Sequence, residues 1–149
     1  MDESLKILGT LKVTLKDKDG NVKEEHNFKN LVVNGGLGYL VHALAYAINI
    51  SGPFNYIAIG TGTSAPSAGN TALQTEIARG GIGYSASDYN YITFQTTFSP
   101  GTGTGTITEA GIFSGSSGGL MFSRTTFTPI VKHSTDSLIV SWTINFASA

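Results

Sequence analysis

Cysteine is absent from this chain, which excludes disulfides, thiolate metal sites and cysteine nucleophiles, and frees the fold from any need for an oxidising compartment. No apolar run approaches the roughly 20 residues that a membrane-spanning helix needs. Met1-Asp2-Glu3-Ser4 is acidic where a secretory signal would be basic, and no apolar segment follows it, so a soluble chain made in a cytoplasm is expected. Charge is the scarcest commodity. Ionisable residues make up 13% of the 149 residues, whereas free-standing surfaces run to about 25–35% charged. The net charge of −1 gives no electrostatic reason to expect a nucleic acid or an anionic membrane as partner.

The distribution of charge says more than its sum. Twelve of the 19 charged residues lie within residues 1–30, leaving Glu76, Arg79, Asp88, Glu109, Arg124, Lys132 and Asp136 for the rest of the chain. The body is therefore rich in Gly, Ser, Thr and aromatics. Interface cores are depleted in charge and enriched in aromatics, so much of this surface is expected to be covered by partners. A β-sandwich solvated by Thr and Ser is the plainer alternative.

What is present is alternation. Leu5, Ile7, Leu11, Val13 and Leu15 alternate with Lys6, Thr10, Lys12, Thr14 and Lys16, the period of a half-buried strand. Asp19-Gly20 supplies a turn, and Val22 to Phe28 resumes the pattern, giving an N-terminal β-hairpin over 1–30 that is free to project from the body. Leu37, Leu40, Val41, Leu44 and Ile48 form one stripe of a helix over about 36–48, with Asn34 as a candidate N-cap and Tyr39, His42 and Tyr46 on the other side. Tyr56-Ile57-Ala58-Ile59 is a short strand. Gly60 to Asn70 is a loop by composition, and Thr71 to Arg79 suits either two helical turns or an extended arm. Further strands follow around Tyr89–Phe98, Ile107–Phe113 and Leu120–Phe127. In the last, Leu138, Val140, Trp142, Ile144 and Phe146 alternate against polar residues. About eight strands with Gly/Ser turns and one helix predict a single domain over 1–149. Its class is mainly β: an antiparallel β-sandwich of jelly-roll or Greek-key type.

Several motifs invite an enzymatic reading and weaken on inspection. Gly60-Thr61-Gly62-Thr63-Ser64-Ala65 follows a strand, as a dinucleotide fingerprint does, but Pro66, Ser67 and Gly69 give no helix N-terminus to hold a pyrophosphate. Gly115-Ser116-Ser117-Gly118-Gly119 has the spacing of a nucleophile elbow, yet strands flank it on both sides. His26, His42 and His133 share no ligand spacing, and no carboxylates cluster near them. His133 with Asp136 reads as turn chemistry. The sequence therefore predicts no catalytic residue, no metal site and no cofactor. Glu109 and Arg124 stand apart, each inside an otherwise neutral strand. Pairing through the 114–119 turn puts 109 opposite about 124, as a cross-strand salt bridge or as an inter-subunit contact. Tyr56, Tyr84, Tyr89, Tyr91 and Trp142 admit a sugar-stacking alternative, although Trp142 lies on the apolar face of its strand.

In order along the chain, three groups of segments carry a resemblance: Asn30-Leu31-Val32-Val33-Asn34-Gly35-Gly36; Ile57 to Pro66 with Thr71 to Arg79; and Glu109-Ala110-Gly111-Ile112-Phe113 followed by Leu120-Met121-Phe122-Ser123-Arg124 and Phe127 to Lys132. The chain resembles a family of small virion structural proteins of tailed phages, of the decoration, cement or tail-fibre-like kind, over about residues 29–146. The resemblance implies a non-catalytic assembly role in the virion and leaves the place in the particle open, the capsid exterior being the expected one and a tail fibre, baseplate or collar the alternative. It also implies a homotrimer that bridges major capsid protein subunits, with neither nucleic acid nor membrane as partner. The expected contacts are Lys16 and Asp19 in the hairpin, Thr61, Thr63 and Pro66 in the first glycine-rich loop, Thr102 and Thr104 in the second, and Glu109 with Arg124.

Overall fold

The computed structural model describes residues 5–46 and 54–148. Among these, ten strands and one helix build a β-sandwich. The first sheet joins β1 (Leu5–Lys16), β2 (Val22–Lys29), β6 (Tyr84–Ser87), β7 (Tyr91–Phe98) and β10 (Ser137–Ser148) in the order β2-β1-β10-β7-β6. The second joins β3 (Leu31–Val32), β4 (Tyr56–Gly60), β5 (Glu76–Gly81), β8 (Gly105–Phe113) and β9 (Met121–Lys132) in the order β3-β9-β8-β4-β5. Every pairing is antiparallel. Four are hairpins between consecutive strands, and β10 returns to lie between β1 and β7.

Period-two alternation fills the space between the sheets. Leu11, Val13 and Leu15 from β1 and Leu138, Val140 and Trp142 from β10 meet Ile57, Ile59, Ile107 and Ile112 from the second sheet, all of them buried. The expected projecting hairpin is corrected by this packing. β1 pairs with β10 over its whole length, from Leu5↔Ser148 to Lys16↔Ser137, and its apolar face belongs to the core. Phe28 of β2 stacks on Phe127 of β9, ring centroids 4.7 Å apart, and so closes one edge of the sandwich. The turn beyond Lys16 lies at the end of the sandwich, beside the 133–136 turn, where Lys23 of β2 donates to Asp136 at 2.9 Å. In the first of these turns Asp17 accepts from the Asp19 and Asn21 amides at 2.9 Å each, which draws its carboxyl below the ordinary range.

The helix α1 (Asn34–Tyr46) starts two residues before the expected position, and the face it turns inward carries Leu40 of the expected stripe together with Tyr39 from outside it. Leu37 and Val41 of the expected stripe are 43% and 62% exposed. Ile48 lies outside the described residues. Gly36 explains the rotation: a side chain there would strike the Phe122 carbonyl, so the bare backbone sets the closest approach to β9. Tyr39 is carried inward as a result, meeting Phe54 edge-on at 4.6 Å between centroids, and Phe54 in turn meets Phe122 at 5.1 Å. Thr71 to Thr75 forms neither a helix nor a straight arm but a bent stretch that leads into β5 at Glu76.

Candidate functional site

Glu109 points away from the core. In a bare sandwich it would face water, yet it is 0% exposed, and its partner Arg124 is 1% exposed. Residues 61–75 cause this, because they lie as a strap over the outer face of the second sheet. Leu73 packs there with Ala58, Phe113 and Met121 as a second apolar cluster, and the Ala68 carbonyl accepts from the Asn34 amide at the start of α1.

The strap is held from beneath. Glu109 Oε1 accepts from the amides of Gly62 (3.0 Å) and Thr75 (2.7 Å), and Oε2 accepts from the Gln74 amide (3.0 Å). The Arg124 guanidinium donates to the same Oε2 through Nε (3.1 Å) and Nη2 (2.8 Å). Arg124 then reaches the strap itself, donating to Asn70 Oδ1 at 3.0 Å and Ser64 Oγ at 3.3 Å. One ion pair thus fastens both legs of the strap to β8 and β9, with its lone pairs and protons satisfied as a buried pair requires. Gly62 is required here, since a Cβ on it would lie 2.5 Å from Glu109 Oε1.

The register differs from the expected one. Glu109 stands opposite Thr126 and Arg124 opposite Gly111, so the pair is diagonal, and the strand pairing shifts between Ile107 and Glu109 and again between Ile112 and Phe113. Burial also corrects the inter-subunit reading of these two residues: neither side chain reaches a surface. Arg79 does comparable work nearby. It lies over the Phe113 ring at 3.9 Å, pairs with Glu76 at 2.7 Å, and donates to the Gly115 and Gly118 carbonyls of the β8–β9 turn. Ser117 therefore sits in a hairpin turn between strands, with Gly118 and Gly119 at positive φ.

Burial pushes the Glu109 carboxyl up. The Thr75 amide, the Arg124 guanidinium and the Gln74 and Gly62 amides pull it down more strongly, and the net position is below the ordinary value of 4.5. Asp136 is lowered too, chiefly by Lys23 at 2.9 Å and then by the His133 amide. A lowered folded value means that the stabilisation is fully present above the unfolded value and is lost as pH falls through the folded one. Acidification from about pH 5 to about pH 3 is therefore expected to lower the urea midpoint. Glu109→Gln should flatten that dependence, and an unchanged pH slope in this variant would remove Glu109 from the account.

No family model matches the chain, and neither does any curated protein or solved structure.

The remaining expected contacts fall in two places. Thr61, Thr63 and Pro66 lie on the strap over the second sheet, whereas Lys16, Asp19, Thr102 and Thr104 lie at the opposite end of the strands from α1, where the 17–21, 99–104 and 133–136 turns meet. At that end Lys132 is buried and donates to the Ser99 carbonyl at 3.1 Å, and desolvation lowers its pKa. Near α1, an apolar cleft of about 360 Å³ opens between the sheets, lined by Tyr39, Phe54, Phe94, Phe122, Ile144 and Phe146 among others. No ionisable pair converges in it that would serve acid–base chemistry. Trp142 is fully buried and unavailable to a sugar, while Tyr89, at the tip of the β6–β7 hairpin, is 98% exposed.

Sequence reasoning gave the first strand a wet lysine face but missed what adjoins it: Lys6, Lys12 and Lys16 stand beside a neutral field of hydroxyls and amides from β10 and β7.

Proposed function

We propose that this chain is a non-catalytic structural subunit of a tailed-phage particle, a capsid decoration or cement protein that binds across neighbouring major capsid protein subunits. One observation carries the reading. Beyond Lys29, Glu76 and Asp88 are the exposed charged residues among the described residues, because Glu109, Arg124, Lys132 and Asp136 are buried and Arg79 is nearly so. Leu37, Val41, Leu120 and Tyr89 are exposed instead. A surface this poor in charge suits burial against neighbours, since charge is what interface cores lose. A contact of standard size buries about 1,600 Å² in total, and several such contacts would cover most of the charge-free exterior. The resemblance to small virion proteins supplies the kind of assembly. Reinforcement then needs no reaction: apolar and hydrogen-bonded contact between shell subunits raises the work of separating them.

Gel densitometry of purified particles is the test. Hundreds of copies per particle are expected, together with a trimer by light scattering of the isolated protein. Tens of copies or fewer would move the protein to the tail, and absence from particles would sink the proposal.

A further inference from the structure

The cations that reach solvent are confined to one part of the molecule. Arg79, Arg124 and Lys132 are engaged internally, and the exposed lysines of the described residues all lie on β1, β2 and the turn between them. Because Leu11, Val13 and Leu15 face the core, alternation sets Lys6, Lys12 and Lys16 on the outward face of β1. Lys29 joins them from β2, opposite Thr10. Glu25 is the carboxylate on this face, 3.4 Å from Lys12. The adjoining strands contribute neutral donors and acceptors: across from Lys12 come Ser141 and then Gln95, and across from Thr14 come Ile139 and then Thr97. Between Lys12 and Lys16 the face dips into an open hollow of about 330 Å³, with Thr14, Val22, Gln95, Ile139 and Ser141 in its wall and Glu25 at its margin beside Lys12.

We infer that this hollow and its lysine rim are the docking site for an acidic segment of a partner protein, an inference that deepens the assembly role proposed above by naming the chemistry of the partner. Charge complementarity chooses the occupant. A second copy meeting this face through the same face would set lysine against lysine, so isologous pairing is disfavoured. Nucleic acid fits less well. The rim offers a few widely spaced lysines and no exposed arginine, Glu25 stands within it, and its centre is neutral, whereas a phosphate backbone calls for a denser basic track. Glutamate or aspartate side chains would take Lys12 and Lys16, and the partner's peptide groups would meet Gln95, Ser141 and Thr14.

The test uses the full chain and a fluorescently labelled glutamate-rich peptide as probe, read by anisotropy. Binding at about 25 mM salt should weaken at about 300 mM, as exposed charge contacts do. Lys12→Glu/Lys16→Glu should weaken it by at least about tenfold while lowering the melting midpoint only slightly, the small loss coming from the carboxylate set beside Glu25. Lys12→Gln/Lys16→Gln should fall between. Equal affinity in wild type and the charge-reversed variant, or no binding at low salt, would overturn the inference. Tighter binding of a single-stranded oligonucleotide or of dextran sulfate than of the peptide would overturn it as well, by giving the face to an anionic polymer. In particles, wild-type incorporation with equal incorporation of the charge-reversed variant would refute this docking face and leave the assembly role intact. Wild-type absence from particles would refute the assembly role, while the peptide measurement would still decide the face.

Discussion

The Glu109→Leu variant is expected to lose about 3–5 kcal/mol of unfolding free energy, read as a lower urea midpoint with an unchanged slope. The substitution removes one carboxylate that accepts five hydrogen bonds. It leaves the Gly62, Gln74 and Thr75 amides without their acceptor and strands the Arg124 cation, which is 1% exposed, beside an apolar side chain. Each orphaned buried donor costs about 1–3 kcal/mol, more when charged, and domains of this kind hold only about 5–15 kcal/mol in total. Arg124→Leu should cost less, because Glu109 would keep its three amide bonds. Glu109→Leu/Arg124→Leu should recover part of the Glu109→Leu loss by removing the unpaired cation. The order of the three variants matters more than any single value. Limited proteolysis supplies the local readout, with new cleavage within residues 61–75 in Glu109→Leu. A loss under about 1 kcal/mol, or cleavage elsewhere first, would mean that the ion pair does not hold the strap.

How much of this was legible in the sequence depends on the kind of interaction. The β10 alternation announces its own inward face, since Leu138, Val140, Trp142 and Ile144 have no other way to bury together on a strand, and all four are buried. Glu109 and Arg124 were visible as charges inside neutral strands. Their surroundings were not. The five bonds to Glu109 come largely from backbone amides more than 30 residues away in sequence, and backbone groups leave no residue-specific signature. A Gly/Ser/Pro composition says that residues 60–70 form a loop without saying what the loop lies upon. The helix shows the opposite failure. Leu40 of its apolar stripe packs on the core, but the close approach at Gly36 to Phe122 turns Tyr39 inward beside it and leaves Leu37 and Val41 exposed, so packing geometry modified what periodicity predicted. In the N-terminal hairpin both phases of the alternation were legible, but a period of two does not say which strand a neighbour will be, and β1 pairs with β10 along its whole length instead of standing free.

Trp142 separates size from polarity in that core. It is among the largest fully buried side chains, enclosed between the sheets with Leu11 opposite it on β1 and Phe94 opposite it on β7. Trp142→Ala is expected to cost about 3–5 kcal/mol, the transfer free energy of the indole plus the cavity left where neighbouring strands cannot collapse. Trp142→Phe should be far milder, under about 1.5 kcal/mol, for a reason beyond its retained volume. The indole Nε1 meets no acceptor among the described residues, so the native side chain carries an unsatisfied donor that phenylalanine lacks. Relief of that donor offsets part of the lost contact, as happens when a buried polar group without a partner is replaced by an apolar one of similar shape. Chemical denaturation of both variants, followed by far-ultraviolet circular dichroism because the one tryptophan is removed, gives the comparison. Losses of similar size for Phe and Ala would show that the indole nitrogen is bound after all, and that the position is specified by a hydrogen bond as well as by volume.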